Sequence, residues 1–306
     1  MKQEQMTPQT KRKKEVDRGE RRFRQSTALS PLRVDYPLSA VVGNETAKRA
    51  LMLLRIDPEL RGLLIASESG LAQSTLARGF ASLNLNRRGQ TDSTLVELPV
   101  NVTEDRLLGG LDFEKTLATG QRELAMGLLA RADGGVLFAD NINLLDGIMA
   151  THVAHALTSR EVRIEREGLS AVQQANFIFI GVYNPGEGEV SPLLRDSVGL
   201  IVESSRKYSA DDKAEILARA IRFDQDPRGF SDYFAIETAE IESAIDGARE
   251  LLPKVSVSKE HRRQIALIAM KLGVEGNRAD VFAVKAARAN AALGSRKAVA
   301  DEDIVA

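Results

Sequence analysis

The chain has 306 residues, room for about two domains at the usual ~150 residues each. Its 43% apolar and 28% charged residues and formal net charge of -1 describe an ordinary globular composition, without an overall bias toward nucleic acid or membrane. The absence of Cys excludes disulfides, thiolate metal ligands and a cysteine nucleophile, and three scattered histidines (His152, His155, His261) argue against a dedicated metal centre.

Residues 1–34 carry Lys11, Arg12, Lys13, Lys14, Arg18, Arg21, Arg22 and Arg24 among polar residues. Such a segment cannot bury enough apolar surface to order itself, so a flexible basic tail is expected. Stacking aromatics are nearly absent there, which favours a solvated arm over a nucleic-acid contact. No run of ~18 apolar residues occurs, and the N-terminus lacks the apolar core of a signal peptide, so the expected location is the cytoplasm.

From Tyr36 short apolar runs alternate with amphipathic stretches. Leu63 to Ala66 reads as a buried strand, followed by a turn and a helix from Ser74 to Leu83; Val96 to Val100 reads as a second strand. Gly135 to Ala139 and Phe177 to Val182 are nearly all apolar, as parallel strands covered on both faces should be. Strands separated by helical stretches predict an α/β sandwich with right-handed crossovers over residues 35–206. After Arg206 the strand signals stop. Helices are predicted from Ala210 to Arg222, Ile236 to Leu252, Lys259 to Leu272 and Arg278 to Leu293, so residues 207–306 form an all-helical domain. Ser209 with Asp212, and Ser258 with His261, are the expected N-cap placements, and Pro253 ends the long middle helix.

The turn after the first strand reads Ser67-Glu68-Ser69-Gly70-Leu71-Ala72-Gln73-Ser74-Thr75. A phosphate-binding loop needs glycines for close backbone approach, a Lys for the β and γ oxygens, and a Ser or Thr for Mg²⁺. Gly70, Ser74 and Thr75 fit that pattern, while Ser67 and Ala72 stand at glycine positions and Gln73 stands at the lysine position. Gln73 offers an amide N–H without charge, and charged hydrogen bonds are roughly twice as strong as neutral ones. The end of the strand Gly135 to Ala139 shows the same loss: where an acidic pair normally holds Mg²⁺ and polarises water, the chain has Asp140 and Asn141, and Asn141 cannot take a proton.

Several blocks in order resemble the AAA+ subunits of magnesium chelatase, closest to the AAA+ module of the D subunit. They are Tyr36 to Asn44, Thr103 to Asp112, Gly127 to Leu137, Asn143 to Asp146, Glu165 to Gly168, Tyr183 to Glu189 and Gly273 to Asp280. The resemblance implies an AAA+ P-loop NTPase-type parallel-sheet core followed by a helical lid, with ATP or ADP and Mg²⁺ as weakly held or absent cofactors. It implies a nucleotide site of Gly70, Gln73, Ser74, Thr75, Asp140, Asn184 and Arg278, with Ser74 and Asp140 toward the metal. Asn184 matches the sensor position, its other reading being a turn cap before Pro185. Arg278 matches the lid arginine that reaches back to the phosphates; its other reading is a solvated charge, unfavourable at a helix N-terminus unless an anion or carboxylate compensates. Ser197 stands where the family's arginine finger projects into a neighbour, and Arg195 is two residues off that position. Segments 101–125 and 160–176 are where the family's insertions fall.

The function implied is a D-type platform that couples ATP hydrolysis by a partner I subunit to Mg²⁺ insertion into protoporphyrin IX. Its implied partners are that I-type subunit and a porphyrin-binding H-type subunit, in a hetero-oligomeric ring without membrane or nucleic acid, in the cytoplasm or the plastid stroma. The usual Pro-rich linker and integrin-I-type domain of a D subunit are not in this sequence, which makes a fragment, a split subunit or a stand-alone relative the readings of its length. A slow but genuine ATPase of the chelatase or MoxR-like group, acting as a remodelling motor, is the alternative.

Overall fold

A computed structural model describes residues 34–67, 73–83, 95–166, 169–204, 208–274 and 276–305, so the basic tail and Gly70 lie outside the described residues. Tyr36–Ala306 packs as one unit. Its centre is a five-stranded parallel sheet built from β1 (Gly62–Ser67), β2 (Leu95–Glu97), β5 (Val136–Ala139), β8 (Ile178–Tyr183) and β9 (Leu200–Ser204), in the order β2-β5-β8-β1-β9. Two antiparallel hairpins stand outside it: β3 (Gly109–Leu111) with β4 (Leu124–Met126), and β6 (Glu161–Arg166) with β7 (Leu169–Gln174). They fall on the two segments expected to hold insertions.

The central strands are apolar throughout because both faces are covered. Successive side chains point to opposite faces, so Leu63 and Ile65 of β1 join one buried cluster while Leu64 joins the other; Phe138 and Leu137 of β5 divide the same way. On the first face lie helices α1 (Glu45–Ile56) and α2 (Gln73–Ala81), through Leu51, Leu54, Leu76 and Phe80. On the second lies α3 (Gly147–Ser159), through Val153 and Leu157.

A short helix, α4 (Pro192–Ser197), leads into β9. Beyond it come α5 (Ala210–Gln225), α6 (Ala235–Leu251), α7 (Lys259–Lys271) and α8 (Arg278–Leu293). Ser209 caps α5 in a full capping box with Asp212, and Ser258 accepts from the backbone N–H of His261 to cap α7. The α6 helix tightens into a 3₁₀ turn at Leu252–Lys254, where Pro253 cannot continue the ladder. Ile245, Ala248, Phe282 and Ala287 of these helices belong to the same buried cluster as Leu51 and Leu63. The C-terminal turn is fixed by Asp303, which is 6% exposed and accepts from Asn290 (2.8 Å), Arg296 (2.5 Å) and the N–H of Ala300 (2.9 Å).

Candidate functional site

Because the sheet is parallel, every strand ends on the same edge, and ligands of open α/β sheets sit outside that carboxyl edge. Ser67 closes β1, Asp140 follows β5 and Asn184 follows β8, with Ala66 level with Tyr183 and Ala139 level with Gly181. The helix α2 starts at Gln73 on this edge. The sequence-predicted Gln73, Ser74, Thr75, Asp140 and Asn184 are thus gathered at one place.

Their side chains show how the place is filled. Gln73 is 7% exposed and its Nε2 donates to Ser67 Oγ at 2.5 Å, so the residue in the lysine position ties the first turn of α2 to the last residue of β1. Ser74 and Thr75 are half-buried. Asp140 is exposed, and one of its carboxylate oxygens accepts from the N–H of Asn141 at 3.0 Å. Asn141 takes a left-handed backbone, φ 52°, which Asn tolerates better than most residues. Asn184 caps the 3₁₀ turn Pro185–Glu187: its Oδ1 accepts from Gly186 N–H at 3.0 Å and its Nδ2 donates to Glu187 Oε1 at 2.9 Å. That is the turn-cap role read as the alternative to a sensor. The neighbouring Asn143, near Gly188, has both amide atoms buried without a partner. It is a donor and acceptor pair that the sequence pattern marked as a block without giving it a role.

Arg278 is elsewhere. Its Nη1 pairs with Asp196 Oδ2 at 2.5 Å. Asp196 lies in α4, just before Val198 and Gly199; a Cβ added at Gly62, at the start of β1, would meet Val198 at 3.0 Å, and the Gly199 N–H donates to Leu60 O at 2.8 Å. Further along α8, Phe282 lies under the Arg61 guanidinium at 5.6 Å and Lys285 reaches Glu59 at 3.4 Å. Arg278 therefore sits at the amino edge of the sheet. The six residues of β1 separate the two edges by about 17 Å at ~3.3 Å per residue. Within one chain Arg278 does not join Gln73 and Asp140. The sequence held half of this result: an Arg at a helix N-terminus needs a carboxylate, and Asp196, 82 residues earlier, supplies it.

Ser197 is 1% exposed and its hydroxyl donates to Leu193 O at 2.8 Å within α4. The position expected to project toward a neighbour points inward, and Arg195 beside it is exposed. Ser67, Gln73, Ser74, Thr75, Asp140, Asn141 and Asn184 include one carboxylate and no cation. That set lacks the lysine with which the motif normally meets the charge of a magnesium triphosphate. Among the described residues there is no group of three or more His, Asp or Glu able to hold a metal ion, and no helix long and apolar enough to cross a membrane.

The AAA lid domain model matches residues 262–306, which contain most of α7 and all of α8. The magnesium-chelatase subunit ChlI homolog of Methanocaldococcus jannaschii is 34% identical over 299 residues, covering 88% of this chain and 82% of that protein. The chain belongs to the magnesium-chelatase AAA+ family. Within the family, the magnesium-chelatase 67 kDa subunit of Chlorobaculum parvum is 43% identical over 266 residues, covering 86% of this chain and 41% of that protein. The chain thus spans about two fifths of the length of this relative. Among solved structures, a chain of the BchI and BchD subunit complex of magnesium chelatase superposes with a TM-score of 0.53 at 31% identity, covering 89% of this chain and 93% of that one. The α/β AAA+ core and helical lid expected from the family blocks are what the chain folds into.

Proposed function

We propose that this member of the magnesium-chelatase family is a D-type AAA+ platform rather than the motor of its complex. On this reading it binds nucleotide weakly or not at all, docks on an I-type AAA+ subunit, and helps couple that partner's ATP hydrolysis to Mg²⁺ insertion into protoporphyrin IX. The observation that carries the reading is the buried Gln73–Ser67 hydrogen bond, which occupies the place of the phosphate-binding cation with a neutral pair. Asn141 in place of a general base and the inward-turned Ser197 support it, because each removes a function that hydrolysis needs from the site or from its neighbour.

Losing a positioned base or donor costs ~10² to 10⁴ in rate, so the joint loss leaves little turnover. Phosphate release by the purified chain is the direct test, followed by mixing with an I-type subunit. The expected result is background turnover alone and a changed rate for the mixture. Turnover above background by the chain alone, abolished by Asp140→Ala, would establish the slow-motor reading instead; the exposed Asp140 carboxylate is the observation in favour of that reading.

A further inference from the structure

The amino edge of the sheet carries more positive charge than its partners neutralise. Arg61, Arg160, Arg278 and Lys285 gather there around three carboxylates, Glu59, Asp196 and the buried Asp57. Arg160 and Lys285 both bind Glu59, and Arg278 binds Asp196. Burial alone would raise the Glu59 carboxyl, but Arg160 and Lys285 outweigh it and hold it below the usual carboxylate range. Arg61 is left without a carboxylate of its own. Its Nη1 is buried with no hydrogen-bond partner, while its guanidinium lies over the Phe282 ring. Burial, and then the neighbouring Arg278, both disfavour its charged form; Glu59 and Asp196 act the other way and Arg160 adds to the repulsion.

Arg61 is also strained in its backbone. Its φ of 67° and ψ of -47° lie near the γ-turn conformation that side-chain-bearing residues avoid. The strand framework holds it there, since its N–H donates to Pro58 O at 3.0 Å and its O accepts from Phe179 N–H at 3.0 Å. A strained backbone, an unpaired buried donor and adjacent like charges are three costs on one residue, and their coincidence is a pointer to function.

We infer that Arg61, with Arg278 and Arg160 beside it, forms an anion site at the amino edge of the sheet that takes a phosphate-bearing ligand. The fork of a guanidinium matches phosphate oxygens two at a time, and an incoming phosphate both satisfies Arg61 Nη1 and relieves the repulsion from Arg278. This site is separate from the strand-end residues Gln73 and Asp140, about 17 Å away along β1.

The test is calorimetric titration of the whole chain with tripolyphosphate, orthophosphate and ATP in Mg²⁺-free, low-salt buffer. Wild-type protein is expected to bind tripolyphosphate in a salt-sensitive manner, and Arg61→Gln to lose about tenfold or more in affinity. Arg61→Lys keeps the charge without the fork and should fall between them. Asp196→Asn, which frees Arg278, should bind more tightly, while the exposed Arg249→Gln should match wild type. Preference for ATP would identify a nucleotide as the source of the phosphate, and equal binding of tripolyphosphate would identify the anion itself; both outcomes support the site. Absence of salt-sensitive binding by a wild-type chain with a normal melting curve, or equal affinity in wild type and Arg61→Gln, would overturn it.

Discussion

Replacing Gln73 by Lys restores the charge that a phosphate loop uses, and the structure sets what that does in the absence and presence of nucleotide. Position 73 is 7% exposed and faces Ser67 Oγ at 2.5 Å. An ammonium there can donate to the hydroxyl but loses most of its hydration. A charge so placed costs about 2 kcal/mol after local relaxation, or about 3 °C in melting temperature for a chain of this size. Magnesium ATP supplies the missing anion. Exchanging a neutral hydrogen bond for a charged one to the phosphates gains about 1.4 kcal/mol, a tenfold tighter complex. Melting curves with and without Mg·ATP should therefore show Gln73→Lys less stable than wild type when free and more strongly stabilised when saturated. Wild type should respond weakly. If wild type gains as much from Mg·ATP as the variant does, the missing cation is not what limits this site and the argument from Gln73 fails.

Asp303→Ala removes the acceptor of three hydrogen bonds and leaves Arg296 with Glu302 alone, so a loss of about 3–5 kcal/mol in denaturant unfolding is expected. Gly79→Ala, although a better helix former, would put a Cβ 2.7 Å from Tyr36 O and 2.9 Å from Leu38 N; both are backbone, and a net loss of about 1–3 kcal/mol should follow. Asp57 is held above the usual carboxylate range, by burial first, against the pull of the Glu59 N–H and Lys285. The folded state therefore binds its proton more tightly than the unfolded chain. Its favourable contribution is complete below the unfolded value, near ~3.9, and is lost as pH rises through the folded one. Asp57→Asn, which still accepts from the Glu59 N–H, should accordingly be more stable than wild type at pH 7, with the gap closing in acid-side melting curves.

What the sequence disclosed follows from what was buried and what was local. The strands β1, β5 and β8 are apolar on both faces, and their composition alone marks them. The caps at Ser209 and Ser258 act within three residues and were equally readable. The edge strand β9 was not, because Val202 is its one buried residue and Ile201 is 45% exposed, so its pattern is that of a half-wet surface segment. The β6–β7 hairpin escaped for a similar reason: Glu161, Arg163, Glu165, Gln173 and Gln174 give a polar composition whose pairing is tertiary rather than local. The strand-end residues were found because a strand-turn-helix fixes them in one stretch of chain. Arg278 was read as the lid arginine at the phosphates, its place at a helix start calling for an anion or a carboxylate; that Asp196 meets it depends on how α8 packs against Pro58–Leu60, and no local pattern encodes that.

The two edges of the sheet have exchanged their electrostatic roles. In a working phosphate site the carboxyl edge carries the cations, because helix N-termini and a lysine face the nucleotide there. Here the described residues Ser67, Gln73, Ser74, Thr75, Asp140 and Asn184 present amides, hydroxyls and one carboxylate, with Gln73 bonded to Ser67. The amino edge holds four cations over the carboxylates of Glu59, Asp196 and Asp57, one of the cations being the Arg278 that the family pattern associates with phosphates. A substitution at Gln73 should therefore act through the carboxyl edge alone, and one at Arg61 through the amino edge alone. Since the two positions lie at opposite ends of β1 without a shared partner, the double variant Gln73→Lys, Arg61→Gln should show the sum of the single effects on unfolding free energy within about 0.5 kcal/mol. A larger coupling would mean that the edges communicate through the strand, and the two would then be parts of a single site.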